Sequence, residues 1–389
     1  MLPPSSRPSS GHRAVALAAL LVLLQPRTGR AENFATYKYE DYSESGGRIG
    51  VTTQSALLQQ GFGGNMQVKV MGVIDAIAGA TPNGQPAPAG SDQVVLADMH
   101  DRRKAWNADL SRDFTAGNLD VGVANSREND YVSKGWSVNA RTELNEKNTT
   151  LVAGIAGTSD RIKVFYQPSW ANKRNVDLLA GVSQLLDPQT VVTVNVSWGR
   201  ATGYLSDPYK LVQKRIEVVP GIFLPFTFGE NRPDARTRWS VLGSVNHAFP
   251  GLKAAVEGSY RFYHDTFGTD AHTVEVAWLQ RLGSQVIVEP TLRYYDQTAA
   301  SFYHYNLDDT GITPVSGTPN PHGPFFSSDY RLSALRAMTL GLKVTWQVSP
   351  KWRVNAGLEN YRMRGKDGKT AGSAYPTAHI LTAGVSFNW

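Results

Sequence analysis

From His379 to Trp389, apolar and aromatic side chains recur at every second position: Leu381, Ala383, Val385, Phe387 and Trp389 share one face, and Ile380, Thr382, Gly384, Ser386 and Asn388 the other. A period of two places successive side chains on opposite sides of a β-strand. The same alternation appears as Val68-Val70-Gly72-Ile74, Leu119-Val121-Val123, Trp136-Val138-Ala140, Val176-Leu178-Ala180-Val182 and Val192-Val194-Val196-Trp198. It continues as Trp239-Val241-Gly243-Val245, Leu252-Ala254-Val256, Val274-Val276-Trp278, Met338-Leu340-Leu342-Val344-Trp346 and Trp352-Val354-Ala356-Leu358. No stretch of comparable length carries a 3.6-residue stripe. One such segment fits a soluble sandwich equally well. Eleven in series, ending on an aromatic residue, predict an all-β chain closed into a transmembrane barrel.

The connections alternate in length. Short ones fall at 60–65, 114–118, 145–148, 186–189, 249–251, 283–285 and 349–351; the other set, 43–47, 76–100, 126–130, 159–173, 201–235, 265–270, 299–329 and 365–378, holds every long one. Outer-membrane barrels have short periplasmic turns and longer external loops. Seven turns and eight loops join sixteen antiparallel strands. With Trp389 on the periplasmic side, the segment 48–58 runs inward, so an even count requires one more strand, which Asn33–Tyr42 supplies. Proline cannot donate to a ladder. Beyond the first 31 residues, Pro290 alone falls inside an expected strand, where a bulge or local fraying is expected.

The two faces meet different solvents. Trp136, Trp198, Trp239, Trp278, Trp346, Trp352, Phe387 and Trp389 lie on the apolar face, several near strand ends where amphipathic rings settle at lipid headgroups. The opposite face carries Lys69, Asp75, Arg141, Glu143, Lys253, Glu257, Arg261, Glu275, Glu289, Arg293, Lys343, Arg353 and Glu359. A basic residue pointing into lipid at mid-height costs roughly 2–4 kcal/mol, so these side chains are expected to line a wet lumen. Their signs nearly balance, and pairs such as Arg261 with Glu275 or Arg293 with Glu289 favour a neutralised wall over a selectivity ring of one sign.

Composition adds location. Arg7 and Arg13, the apolar run Ala14–Leu24 and the small-residue site Gly29-Arg30-Ala31 read as a cleaved leader over residues 1–31, ahead of a barrel domain over 32–389. The run is too short to span a bilayer as a helix. The leader holds four arginines and no acid, so the formal charge of +6 falls to +2 without it and gives no support to nucleic-acid binding. Cysteine is absent, which excludes disulfides and thiolate metal sites. Export to the bacterial outer membrane implies two partners: the surrounding lipid and, through the terminal aromatic strand, the barrel-assembly machinery.

A sixteen-stranded lumen is wide enough for water unless something fills it. The longest loop carries Ile222, Phe223, Leu224, Phe226 and Phe228, an apolar run that either folds into the mouth as a constriction or extends the flanking strands above the membrane. No catalytic, cofactor or metal motif is evident. His264-Asp265 and His100-Asp101 place adjacent residues on opposite faces of a strand, and Asp308-Asp309 fall far short of a calcium shell. The sequence shows no obvious N-terminal plug domain, so energised uptake is not expected. The chain reads as a passive channel or transport barrel for small polar solutes, or else as a non-conducting scaffold holding a partner, and not as an enzyme.

Several stretches resemble a bacterial family filed as Domain of Unknown Function 3570: Tyr37-Lys38-Tyr39-Glu40-Asp41-Tyr42 running into Arg48-Ile49, Met71 to Pro82, Asn129-Asp130-Tyr131, Lys147 to Leu151, and Asp329-Tyr330-Arg331-Leu332-Ser333. The resemblance spans Tyr37 to Trp389. It implies an outer-membrane barrel of unassigned role and transfers no catalytic or binding residue.

Overall fold

The computed structural model describes residues 33–314 and 319–389; the expected leader lies outside them. The strands are β1 (Phe34–Glu44), β2 (Gly50–Phe62), β3 (Met66–Pro82), β4 (Leu96–Phe114), β5 (Gly117–Arg127), β6 (Tyr131–Leu144), β7 (Thr149–Ile162), β8 (Ala171–Asp187) and β9 (Thr190–Gly203). They continue as β10 (Leu211–Val219), β11 (Ile222–Gly229), β12 (Ala235–Phe249), β13 (Ala254–Asp265), β14 (Asp270–Leu282), β15 (Val286–Gln297), β16 (Leu335–Gln347), β17 (Trp352–Gly365) and β18 (Thr377–Asn388). Sixteen of them form one closed antiparallel barrel, while β10 and β11 make a separate hairpin between β9 and β12. The barrel closes where β1 pairs with β18, from Phe34 opposite Asn388 to Glu44 opposite Ala378. The strand demanded by parity is therefore β1.

Some loops are shorter than the alternation suggests. β3 runs to Pro82 and β4 begins at Leu96, so the connection expected at 76–100 shrinks to 83–95. Asp98 to Lys104 continue the strand above the apolar belt, where Met99 is the one apolar side chain and the contrast between the faces disappears. Pro290 sits in β15 with its side chain outward. Toward β14 the ladder lapses between the pairs Ala277–Thr291 and Gln280–Val288, with no shift of register, while Pro290 stays opposite Leu342 of β16. The result is a local gap and not a bulge.

Alternation now has a physical direction. On β16, Met338, Leu340, Leu342, Val344 and Trp346 are exposed and apolar, whereas Thr339, Lys343, Thr345 and Gln347 face inward. Nine residues rising about 3.3 Å each and tilted about 40° give a belt near 23 Å, the height of a hydrocarbon-facing band. Trp106, Trp136, Trp198 and Trp239 lie toward the loop end of this belt; Trp278, Trp346, Trp352, Phe387 and Trp389 lie toward the turn end. Trp198 stands opposite Trp239, and the Phe387 ring stacks between Trp352 at 4.7 Å and Trp389 at 5.7 Å. Trp106 escapes the pattern reading because its strand is obscured by the polar stretch above it.

Among the described residues, the buried apolar clusters sit in the loops and at the loop-end tips of the strands. Phe267, Ala300, Phe302 and Leu332 form one; Tyr330, Leu335, Ala374 and Tyr375 a second; Tyr131, Ile162 and Val164 a third; Val212, Leu307 and Phe326 a fourth. Leu342→Arg should destabilise the barrel by about 2–4 kcal/mol, and Thr345→Arg on the inner wall by much less. Urea titration of the protein folded into phosphatidylcholine vesicles measures both.

Candidate functional site

The inner wall is a set of short ion pairs. Arg103 of β4 donates to Asp75 of β3 at 2.5 Å, Lys343 of β16 meets Glu289 of β15 at 2.7 Å, and Arg293 of β15 reaches Glu275 of β14 at 3.7 Å. Arg141 lies 3.4 Å from Glu143, and Lys69 stands opposite Asp109. Two pairings differ from those the alternation suggests. Glu275 is met by Arg293, and Arg261 stands opposite Thr273, because the register sets Ser259 against Glu275. Glu289 and Arg293 share a strand and each turns to a neighbouring one instead. Lys253 is not a wall residue: it caps the 3₁₀ turn Pro250–Leu252 with φ 52° in the exposed turn at the barrel's end.

One wall pair depends on a missing side chain. Arg238 of β12 and Asp177 of β8 both oppose Gly199 of β9, and their charged groups meet over it at 2.6 Å. A Cβ at Gly199 would lie 2.1 Å from Asp177 Oδ1. Glycine here opens the wall so that a bridge can span two strands.

At the turn end, the wall borders an open cavity of about 570 Å³ lined by Glu257, Arg281, Glu289, Lys343 and Arg353, among others. Five of the expected lumen residues therefore share neighbouring walls: Glu257, Glu289, Lys343 and Arg353 at this cavity, with Glu359 on the same inner face of β17.

At the loop end the mouth is covered. Lys210 precedes the β10–β11 hairpin and donates to the carbonyl of Pro82, at the end of β3; it also lies 6.0 Å over the Tyr330 ring, in the loop between β15 and β16. The attachment points β3, β9 and β15–β16 are six, four and five strands apart around the ring. No side chain bridges such gaps along the rim, so the loops must fold inward over the axis.

Their meeting point is a buried cluster of three acids and three bases. Arg232 binds Glu230 at 2.6 Å and Asp329 at 2.9 Å; Arg331 binds Asp329 at 2.6 Å and Asp207 at 2.9 Å. Lys210 and Asp329 are each 2% exposed. Burial raises the Asp329 carboxyl, but Arg331, Lys210 and Arg232 outweigh it and hold the group well below the usual carboxylate range. Burial lowers Lys210, against the pull of Asp329.

The apolar run of the longest loop is not part of this cluster. Ile222 and Phe223 are 53% and 55% exposed on β11. The base of the hairpin packs inward instead, with Val212 against Leu307 and Phe326. The geometry matches an extension above the membrane rather than a constriction.

Beside the cap, Asp101, Glu128 and Asp130 bring carboxylate oxygens within 4.8 Å of one another. Tyr209, from the cap, donates to Asp130, and Asn129 donates to Asp101 at 2.8 Å. Burial, then Asp101 and Asp130, push Glu128 up to about 7, with Arg103 opposing. Of the histidine–aspartate pairs, His264 bonds Asp270 at 2.7 Å and not its neighbour Asp265, which is held by Arg236 on the other face.

The cap was missed because its residues are scattered over three loops with no common spacing. A signal existed in part: the block Asp329 to Ser333 supplies Asp329 and Arg331, and the block ending at Pro82 supplies the acceptor for Lys210.

Asp329→Ala leaves two guanidinium groups without their shared partner and should loosen the cap by about 3–5 kcal/mol. Hydrogen exchange at residues 327–333 reads this, while the barrel keeps its heat-modifiable mobility. Glu128 adds a pH dependence. Its folded form retains a proton up to about pH 7, whereas the unfolded form releases it near 4.5. Its contribution is therefore present at low pH and lost as pH rises between those values. Glu128→Gln should slow exchange at this loop several-fold at pH 8 and leave it unchanged at pH 4.

No curated protein matches the chain in sequence. Among solved structures, a bacterial polysaccharide outer membrane secretin shares 9% identity over 92% of this chain and 99% of its own, with a TM-score of 0.48. A mutant of the ferric enterobactin receptor PfeA from Pseudomonas aeruginosa shares 11% over 93% and 81%, with a TM-score of 0.41. A loop-deletion mutant of OmpT, an outer membrane protein of Vibrio cholerae, shares 10% over 92% and 100%, with a TM-score of 0.40. The model of one family, described as a protein of unknown function (DUF3570), matches residues 13–387, and with the barrel complete from β1 to β18 the chain belongs to that family.

Proposed function

We propose that this protein is an outer-membrane transport barrel that passes small polar solutes passively, with an external mouth gated by its loop cap. The observation that carries the reading is the contrast between the two ends of one charge-lined lumen. The turn end holds a cavity of about 570 Å³, and the loop end is covered by ion-paired loops. The outer membrane is supported by the exposed apolar belt with short turns on one side and long loops on the other. Paired charges on the wall favour solutes without strong preference for sign. Catalysis has less support, since His264 points outward toward Asp270 and His100 lies on the opposite face from Asp101.

A second reading, a non-conducting scaffold that holds a partner, is favoured by the same cap if it never opens. Planar-bilayer recording separates the two. Wild-type protein should show brief, infrequent openings, and the variant Asp329→Ala/Arg331→Ala should conduct steadily with little preference between K⁺ and Cl⁻. Silence in both overturns the transport reading and favours the scaffold. A strong preference for one ion removes the argument from the neutral wall.

A further inference from the structure

Cations inside the barrel and under the cap are largely paired, but a group on its outside is not. On six consecutive strands, β4 to β9, the outward face just beyond the apolar belt carries a basic residue. Lys104 follows Trp106, Lys134 follows Trp136, Arg174 follows Val176 and Arg200 follows Trp198, each one outward step toward the loop end; Arg127 and Arg161 lie two steps beyond Val123 and Gly157. All six are exposed. Among the described residues, none forms an ion pair; Arg161 alone has a partner, the Trp170 ring at 5.1 Å.

Register gathers them into two rows. Lys104 stands directly opposite Arg127, which opposes Val132, which opposes Arg161. In the second row Lys134 opposes Ser159, which opposes Arg174. Like charges directly opposite on one face repel. The nearest outward acid on these strands, Asp98, is six residues above Lys104. Elsewhere on the rim the same height is mixed: Asp270 is matched by His264, and Asp296 by Lys366. The basic sector lacks any such internal match, and it sits where the belt gives way to lipid headgroups.

We propose that the β4–β9 sector is a docking surface for phosphate groups on the headgroups of outer-leaflet lipid, with the acyl chains lying on the apolar belt below. This rests on the outer-membrane placement above but not on transport. Anions in the headgroup layer relieve the repulsion between the rows, and Ser159 and Asn125 add hydrogen-bonding groups within them.

The test uses the full-length protein in detergent, titrated with diphosphorylated lipid A and followed by native mass spectrometry. The dephosphorylated lipid and inorganic pyrophosphate serve as separate probes. Wild type should bind the diphosphorylated lipid at least tenfold more tightly than the dephosphorylated one. The combined variant K104Q/R127Q/K134Q/R174Q/R200Q should lose at least tenfold, and R336Q/R362Q, on the opposite sector, should bind as wild type does. If the combined variant fails to fold, as judged by heat-modifiable mobility, K104Q/R127Q is read in its place, with a smaller but measurable loss. Equal binding by wild type and the combined variant overturns the proposal, as does equal binding of the dephosphorylated lipid. Full displacement by pyrophosphate assigns the surface to free phosphate and overturns the lipid assignment. Normal insertion of these proteins into phosphatidylcholine vesicles keeps such failures distinct from failure of the membrane reading.

Discussion

Inside hydrocarbon an unpaired backbone N–H or C=O has no water to turn to, so a strand can cross only if both of its edges are occupied. This chain meets that demand by joining β1 to β18 over their whole lengths, from Phe34–Asn388 to Glu44–Ala378. Once the ladder is closed, side-chain alternation can only mean outside or inside. Apolar residues then dissolve the barrel in lipid, and polar residues line its interior. Stability needs no central apolar core, which is why the buried hydrophobic clusters lie in the loops and at the strand tips beneath them, where water would otherwise reach them.

The same closure explains how the inner wall is built. Neighbouring strands are fixed at about 4.8 Å, so long side chains must lie flat along the wall to reach one another. Gly199 provides the space for Arg238 and Asp177 to do so. Pairing across strands neutralises the wall where it forms, without a ring of one sign. The cap uses the same device in drier surroundings: Asp329 accepts from two arginines, and truncating any one member would leave an uncompensated buried charge. A cover held by ions is also one that can be released locally, since its strength lies in a few contacts between loops and not in the ladder.

Most of the barrel was legible in the residues because strand period and solvent contrast coincide at the belt. The strand count and the terminal closure follow from that contrast, and so do the direction of Met338 to Trp346 and the placing of the tryptophans. Where the contrast fails, so does the reading. Asp98 to His100 are as much strand as Trp106 to Phe114, yet they stand above the belt and look like loop. Wall partners were only partly legible: which residues face inward follows from parity, but which of two acids meets Arg293 depends on a register that alternation does not fix. Lys253 shows the limit at a strand end, where a left-handed turn residue keeps the parity of the wall without belonging to it.

The cap was illegible for a different reason. Its members come from loops whose attachment points are four to six strands apart, and they converge only after the ring has closed. Nothing in local spacing links Lys210 to Pro82 or Arg232 to Asp329. Composition does carry a residue of the answer. A loop that is merely solvated has no use for alternating signs such as Glu230 with Arg232, or Asp329 with Arg331, set beside prolines and aromatics. Such signs become stable only when brought out of water together. The long loops of this barrel therefore behave as a folded layer whose assembly the cylinder beneath it makes possible, and the chemistry at either end of the lumen is set by that difference in origin.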